Sequence, residues 1–135
     1  MSLPDFKLES VQAGIRTRIE PFLHEMFKNI PENPEEIYLT GNSARGEFDE
    51  SNPEIHMLLV FGRIDSRLLD HIAVLGRRFG RNGIKAPLLL TSEYLSNAAD
   101  SFPVELLELS NSHVSIFGED RLSEIKIDIS DLRLQ

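Results

Sequence analysis

Apolar residues near the start of the chain recur at steps of three and four positions. They share one face of a helix and comprise Leu8, Val11, Ile15, Ile19, Phe22 and Met26. Pro21 lies within this stretch. Because proline removes a backbone donor and clashes with the preceding turn, we expect a kink or a break near Glu20. The pattern therefore predicts an amphipathic N-terminal helix within residues 4–30, ended by the prolines at positions 31 and 34.

Short apolar runs bounded by turn-forming residues dominate the remainder of the chain. They predict strands at residues 36–40, 54–61, 87–91, 104–109 and 114–117. The run at 54–61 is apolar on both alternating faces. This pattern is typical of a central strand that is covered on both sides of its sheet.

Helical spacing returns between these strands. Residues 66–83 carry apolar residues at steps of three and four, with Asp65 or Ser66 as a candidate N-cap and Gly83 as a candidate C-cap. Two shorter pieces are predicted, a single turn at 43–46 and a short helix after Thr91. The order of elements predicts an α+β fold, with a mixed β-sheet of about five strands and helices packed on it.

At 135 residues the chain is expected to form one domain, with its core at residues 36–120. In the tail at 121–135, isoleucines alternate with polar residues and Ser130–Asp131 resembles a helix cap with almost no helix behind it. We therefore expect the tail to lead into a helical domain beyond Gln135.

Composition limits the kinds of ligand and partner that the protein can be expected to bind. Lys and Arg number 14 against 22 Asp and Glu, giving a net charge of −8, so extended binding to nucleic acid is not expected. The absence of cysteine excludes disulfides, thiolate metal sites and a cysteine nucleophile, and fits a cytoplasmic protein. Apolar runs fall far short of the roughly 20 residues of a membrane span, so no membrane role is predicted.

The stretch Gly41-Asn42-Ser43-Ala44-Arg45-Gly46 follows a predicted strand directly. A glycine there lets the backbone approach a phosphate, and a hydroxyl beside free amides at a helix start adds a donor. Gly41, Asn42 and Ser43 are thus candidates for a phosphate cradle. Arg45 is expected to pair with an acidic strand end more readily than with a phosphate. A strand-to-helix turn with no ligand would also explain the stretch.

Together with Glu54-Ile55-His56, which opens the next predicted strand, this stretch resembles the nucleotidyltransferase superfamily of polymerase β-like and aminoglycoside-modifying enzymes. The family pattern is Gly-Ser-x-Ala-Arg-Gly, a short loop, then Asp-x-Asp opening a hydrophobic strand. The resemblance spans residues 37–120 and includes the Phe-Pro-x-Glu context of Glu105. It implies a nucleotidyltransferase-like fold. It also implies transfer of a nucleoside monophosphate from a nucleoside triphosphate such as ATP, with Mg²⁺ or Mn²⁺, to a small-molecule or protein hydroxyl.

Carried over by position, the resemblance makes Glu54, His56 and Glu105 the catalytic candidates, with Glu54 and His56 as metal ligands. Gly41, Asn42, Ser43 and Arg45 become the nucleotide-binding candidates. This sequence departs from the family at the metal motif, where Glu54 and His56 replace two aspartates. A neutral imidazole is a poor Mg²⁺ ligand, so we expect a weakened metal site.

Several hypotheses about function remain open at this point. The first is a nucleotidyltransferase. The second is a catalytically inactive module of the same fold that senses a nucleotide or binds a protein. The third is the small member of a toxin–antitoxin pair with a helical partner protein. His56 is also explained as a hydrogen-bonded residue at a strand start, and Glu105 as an ordinary exposed strand residue.

Overall fold

The computed structural model describes residues 5–97 and 109–124 of the chain. Its main helices are α1 (Ala13–Asn29), α2 (Gly41–Ala44), α3 (Ser66–Phe79) and α4 (Ser92–Asn97). Its strands are β1 (Glu36–Thr40), β2 (His56–Phe61), β3 (Leu88–Thr91) and β4 (His113–Phe117). Short 3₁₀ turns occupy Gly80–Asn82 and Arg121–Glu124.

The four strands form one mixed sheet in the order β3-β2-β1-β4. β1 pairs antiparallel with both β2 and β4, while β2 pairs parallel with β3. The predicted α+β class and mixed sheet are confirmed. The expected number of about five strands is wrong for the described part of the chain, which has four. Of the strand predicted at 104–109, only Leu109 lies within the described residues, and its backbone is helical.

Helix α1 runs through Pro21 without ending, so the expected break near Glu20 does not occur. Pro21 is exposed, while buried residues lie on both sides of it in the sequence. They are Ile15, Ile19, Phe22, Leu23 and Met26. Burial of a large apolar side chain stabilises a fold by about 1.5–3 kcal/mol. The packing of this face on the sheet therefore offsets the hydrogen bond that proline removes.

The sheet is covered on both faces, as the apolar pattern of β2 predicted. Alternate residues of β1 and β2 belong to two separate clusters. The first includes Ile37, Leu39, Met57, Leu59 and Phe61, together with buried residues of α1 and α3. The second contains Tyr38, Leu58 and Val60 with Leu95 of α4 and Leu122. No helix in the described residues is long and apolar enough to cross a membrane.

The strand directions bring four chain segments to one edge of the sheet. Thr40 at the end of β1 lies opposite His56 in β2 and His113 in β4. Leu88, at the start of the parallel strand β3, lies opposite Leu58 of β2. The end of β1 and the beginnings of the other three strands therefore meet, and the predicted motif follows β1 at this edge.

Candidate functional site

The motif begins with an abrupt change of backbone direction at Gly41. Its φ angle is +59°, in the left-handed region that favours glycine. The helical turn that follows is α2, which starts at Gly41 instead of at Ser43 as the sequence had suggested. A Cβ placed on Gly41 would meet no atom within 4 Å. The backbone at this position is therefore open to approach.

Ser43 ties α2 to the start of β2. Its side chain is buried, and its Oγ donates to the carbonyl oxygen of Glu54 and accepts from the backbone N–H of His56, each at 3.2 Å. The hydroxyl thus uses both its donor and an acceptor position on the neighbouring strand. The structure places Ser43 as a link between the two halves of the motif.

Arg45 links the motif to the loop before β4. Its guanidinium donates to Asn42 Oδ1 and, at 3.1 Å, to Ser112 Oγ, while its Nε lies 3.8 Å from Glu47 Oε1. The pairing of Arg45 with an acidic residue was expected, although Glu47 lies in a loop and not at a strand end. The Asn42 side chain acts here as an acceptor. About half of the Arg45 side chain stays exposed, at 47%, so it can also reach a ligand.

A cavity of about 620 Å³ opens beside this motif. Its lining residues are Thr40, Gly41, Arg45, His56, Leu88, Leu109, Asn111 and Ser112. Of the predicted site residues, the structure brings Gly41, Arg45 and His56 together in this lining. Glu54 is exposed and, like Asn42 and Ser43, is not part of it. Glu105 lies outside the described residues.

Five residues of the cavity lining were not found from the sequence, namely Thr40, Leu88, Leu109, Asn111 and Ser112. Asn111 and Ser112 precede β4, and Leu88 opens β3. A polar run just before a strand is a weak signal for Asn111 and Ser112. Nothing local distinguishes Leu88 from any other strand leucine, since its place in the cavity depends on the sheet order.

The described residues around His56 do not fit a two-metal site. Two Mg²⁺ ions need several oxygen ligands, usually carboxylates. The strands on either side of β2 present Thr40 and Leu88 to the cavity. Within residues 5–97 and 109–124, no group of three or more His, Asp or Glu side chains is placed to hold a metal ion. Glu54 and His56 therefore lack a described third ligand.

His113, the first residue of β4, joins the loop before this strand to the segment after it. Its Nδ1 lies 2.8 Å from the carbonyl oxygen of Ser110, and its Nε2 lies 2.8 Å from Asp120 Oδ1. Burial alone would raise the pKa of Asp120, but hydrogen bonds from Ser123 and the contact with His113 hold that pKa below its usual range. These contacts of His113 hold the loop that carries Ser112 close to Asp120.

A buried polar network lies at the opposite end of β1. Glu36, only 2% exposed, pairs with the Arg121 guanidinium and with the Tyr38 hydroxyl. Burial and the adjacent Glu36 carboxylate raise the pKa of Tyr38 well above its usual value. Burial opposes the charge on Arg121, yet the Glu36 carboxylate raises the pKa of Arg121. This network anchors the 3₁₀ turn at Arg121–Glu124 to the sheet.

Comparison with known proteins gives a likeness in structure alone. No protein-family model and no curated protein matches the chain. A solved structure described as a "putative nucleotidyltransferase from Sulfolobus solfataricus" is similar to it, with 22% sequence identity and a TM-score of 0.42. The similarity covers 67% of this chain and 84% of that one.

Proposed function

We propose that this chain is a nucleotidyltransferase-like domain that binds the phosphates of a nucleoside triphosphate without assembling a two-metal catalytic site. The observation that carries the proposal is the chemistry of the cavity. Its described lining contains no carboxylate, and it includes the Arg45 guanidinium and the His56 imidazole. Donors of this kind suit phosphate oxygens directly, whereas a metal-bridged triphosphate requires acidic ligands.

The polar half of the cavity supplies further donors. Thr40, Asn111 and Ser112 contribute hydroxyl and amide groups. The open backbone at Gly41 allows a phosphate to come close to the amides that begin α2. Arg45 is held by Asn42 and Ser112, so its guanidinium is already oriented before a ligand arrives. A preorganised donor loses less entropy when it binds.

The remaining wall is apolar. Leu88 and Leu109 line it, and Leu88 is 48% exposed. A nucleobase or ribose can cover such a surface while the phosphates point to Arg45. The volume of about 620 Å³ also lies within the range of about 300–1,000 Å³ that is usual for small-molecule sites.

Thermal unfolding with ATP, GTP, CTP or UTP, each with Mg²⁺, Mn²⁺ or EDTA, tests the proposal. A ligand at about a hundred times its dissociation constant adds about 2.7 kcal/mol to the folded state. We expect at least one nucleotide to raise the Tm in EDTA as well as in Mg²⁺. His56→Ala should reduce that rise, and His71→Ala, on α3 and outside the cavity lining, is the matched control.

Two results would contradict this proposal. The absence of a Tm rise under every condition would exclude nucleotide binding by the isolated chain. A rise that needs the metal, together with release of pyrophosphate, would instead support the nucleotidyltransferase hypothesis. The double variant Glu54→Asp/His56→Asp restores the usual pair of aspartates and should make nucleotide affinity metal-dependent. A lack of gain would place the defect at the positions Thr40 and Leu88 on the neighbouring strands.

A further inference from the structure

Strand β3 lies at an edge of the sheet. It contains Leu88, Leu89, Leu90 and Thr91, and no described residue pairs with its outer side. Pro87 precedes it, as is common for edge strands because proline lacks a ladder donor. An apolar edge of this kind is a template for pairing with another strand.

The outer side of α3 continues this apolar surface. Leu69 on this side is 46% exposed, while Val74, about 140° further round the helix, is 54% exposed. A groove of about 400 Å³ runs between the helix and the segment before β3. Its lining residues are Leu69, Ile72, Ala73, Gly76, Arg77, Ala86 and Pro87. Because Ala73 and Gly76 are small, another helix can approach α3 closely here.

Two exposed charges of opposite sign lie on α3 beside this groove. Asp70 and Arg77 are both exposed and are separated by seven positions, which is about two helical turns. Neither forms an ion pair with another described residue. The midpoint between them falls between Ala73 and Val74. A second α3 packed antiparallel about that midpoint would place each Asp70 against the partner's Arg77, so the surface is complementary to itself.

The topology allows strand pairing at β3 and helix packing at α3 to occur in the same dimer. Helix α3 joins β2 to the parallel strand β3, so it runs antiparallel to β3. One two-fold axis, perpendicular to the sheet at the edge of β3, would therefore pair β3 with β3 and α3 with α3, both antiparallel. With strands about 4.8 Å apart, a helix centred over β2 and β3 would lie about 10 Å from its symmetry mate. This separation is normal for packed helices.

We propose that a second copy of this chain docks on the surface formed by β3 and the Leu69–Arg77 side of α3, giving a symmetric dimer with a continuous sheet. An isologous interface requires one patch that is complementary to itself, and the Asp70 and Arg77 arrangement meets that requirement. The cavity proposed for the nucleotide lies on the other face of the sheet, with Leu88 at its rim, so docking leaves its Arg45 side open.

Analytical ultracentrifugation of the full chain tests this inference. We expect a concentration-dependent dimer in the wild type. Ala73→Arg should give a monomer, because two like charges would meet near the axis. Asp70→Arg and Arg77→Asp should each weaken the dimer at least tenfold, and the double reversal should restore it. Circular dichroism confirms that each variant is folded. A wild type that stays monomeric at every concentration overturns the proposal and leaves the surface to residues 125–135 or to a different protein.

Cross-linking supplies an independent measurement. The chain contains no cysteine, so Ala73→Cys introduces a single thiol close to the proposed axis. Mild oxidation should convert this variant to a disulfide-linked dimer. Ala13→Cys, which is also exposed and helical, is the matched control and should stay monomeric. Equal cross-linking of the two variants, or failure of the charge reversal to rescue the dimer, would also overturn the proposal.

Discussion

Removal of Arg121 tests whether the buried network at the start of β1 stabilises the fold. The Glu36 side chain is 2% exposed, whereas the Arg121 side chain is 21% exposed. In the Arg121→Met variant the Glu36 carboxylate would stay buried. Among the described residues, only the Tyr38 hydroxyl and the backbone N–H of residue 121, at 3.5 Å, would remain near its oxygens. We therefore expect a large loss of stability from a single surface-adjacent substitution.

The size of the stability loss depends on which charged side chain, Glu36 or Arg121, remains without its partner. Removal of one member of a buried ion pair costs about 3–5 kcal/mol, and the partial exposure of Arg121 places this case at about 3 kcal/mol. Glu36→Gln leaves the more exposed partner, which also lies 4.0 Å from Glu35, so its cost should be about 1–2 kcal/mol. The double variant should cost less than the sum, because no charge is then buried without a partner.

Urea unfolding of the four chains in this double-mutant cycle is the assay, with the slope m compared to verify that the folded states expose similar surface. A domain of this size is stable by about 5–15 kcal/mol, so Arg121→Met should lower the midpoint clearly while leaving a measurable folded baseline. A cost below about 1 kcal/mol, or additive costs in the double variant, would refute the reasoning that Glu36 depends on Arg121.

Three further predictions concern the Gly41–Gly46 motif and the contact between His113 and Asp120. Ser43→Ala should lower the free energy of unfolding by about 1–2 kcal/mol through two lost hydrogen bonds, while Ser51→Ala in an exposed loop should change it by less than about 0.5 kcal/mol. Asp120 has a lowered pKa, so its contribution is complete above its unfolded value of 3.8 and is lost as the pH falls through the lower folded value. Asp120→Asn should therefore flatten the acid limb of the stability profile, measured by Tm between about pH 5 and 2. Arg45→Ala should lower the Tm because Arg45 joins the motif to the loop before β4, and an unchanged Tm with weakened nucleotide binding would mean a ligand role alone.

Local patterns in the sequence were sufficient for much of the fold. The Asp65 N-cap of α3 is confirmed, since its carboxylate accepts from the backbone N–H of Leu68 at 2.9 Å. Gly83 does adopt the left-handed conformation expected of a terminating glycine, with φ +88°, although a 3₁₀ turn separates it from the end of α3 at Phe79. Caps and periodicity are properties of neighbouring residues, so they can be recognised without the tertiary structure.

Packing overrides such local signals where many apolar side chains act together. Pro21 is a strong helix breaker in isolation, but α1 continues because Ile19 and Phe22 beside it are completely buried. The buried role of Glu36 was missed for a related reason. Its partner Arg121 lies 85 positions away in the sequence, and no short pattern around either residue marks the contact.

The residues that surround the candidate site also could not be predicted from short sequence patterns. The sequence predicted that Glu54 and His56 open the second strand, but β2 begins at His56 and Glu54 lies before it, exposed and outside the cavity lining. Which residues share the cavity with His56 depends on the sheet order, and the structure puts Thr40 opposite His56 and Leu88 opposite Leu58, two residues further along β2. Neither Thr40 nor Leu88 offers a carboxylate, so within the described residues no neighbouring strand adds an acidic ligand beside His56. If the proposed nucleotide binds in this cavity, the positive charge that meets its phosphates comes from Arg45, and binding that tolerates chelation of Mg²⁺ is the expected consequence.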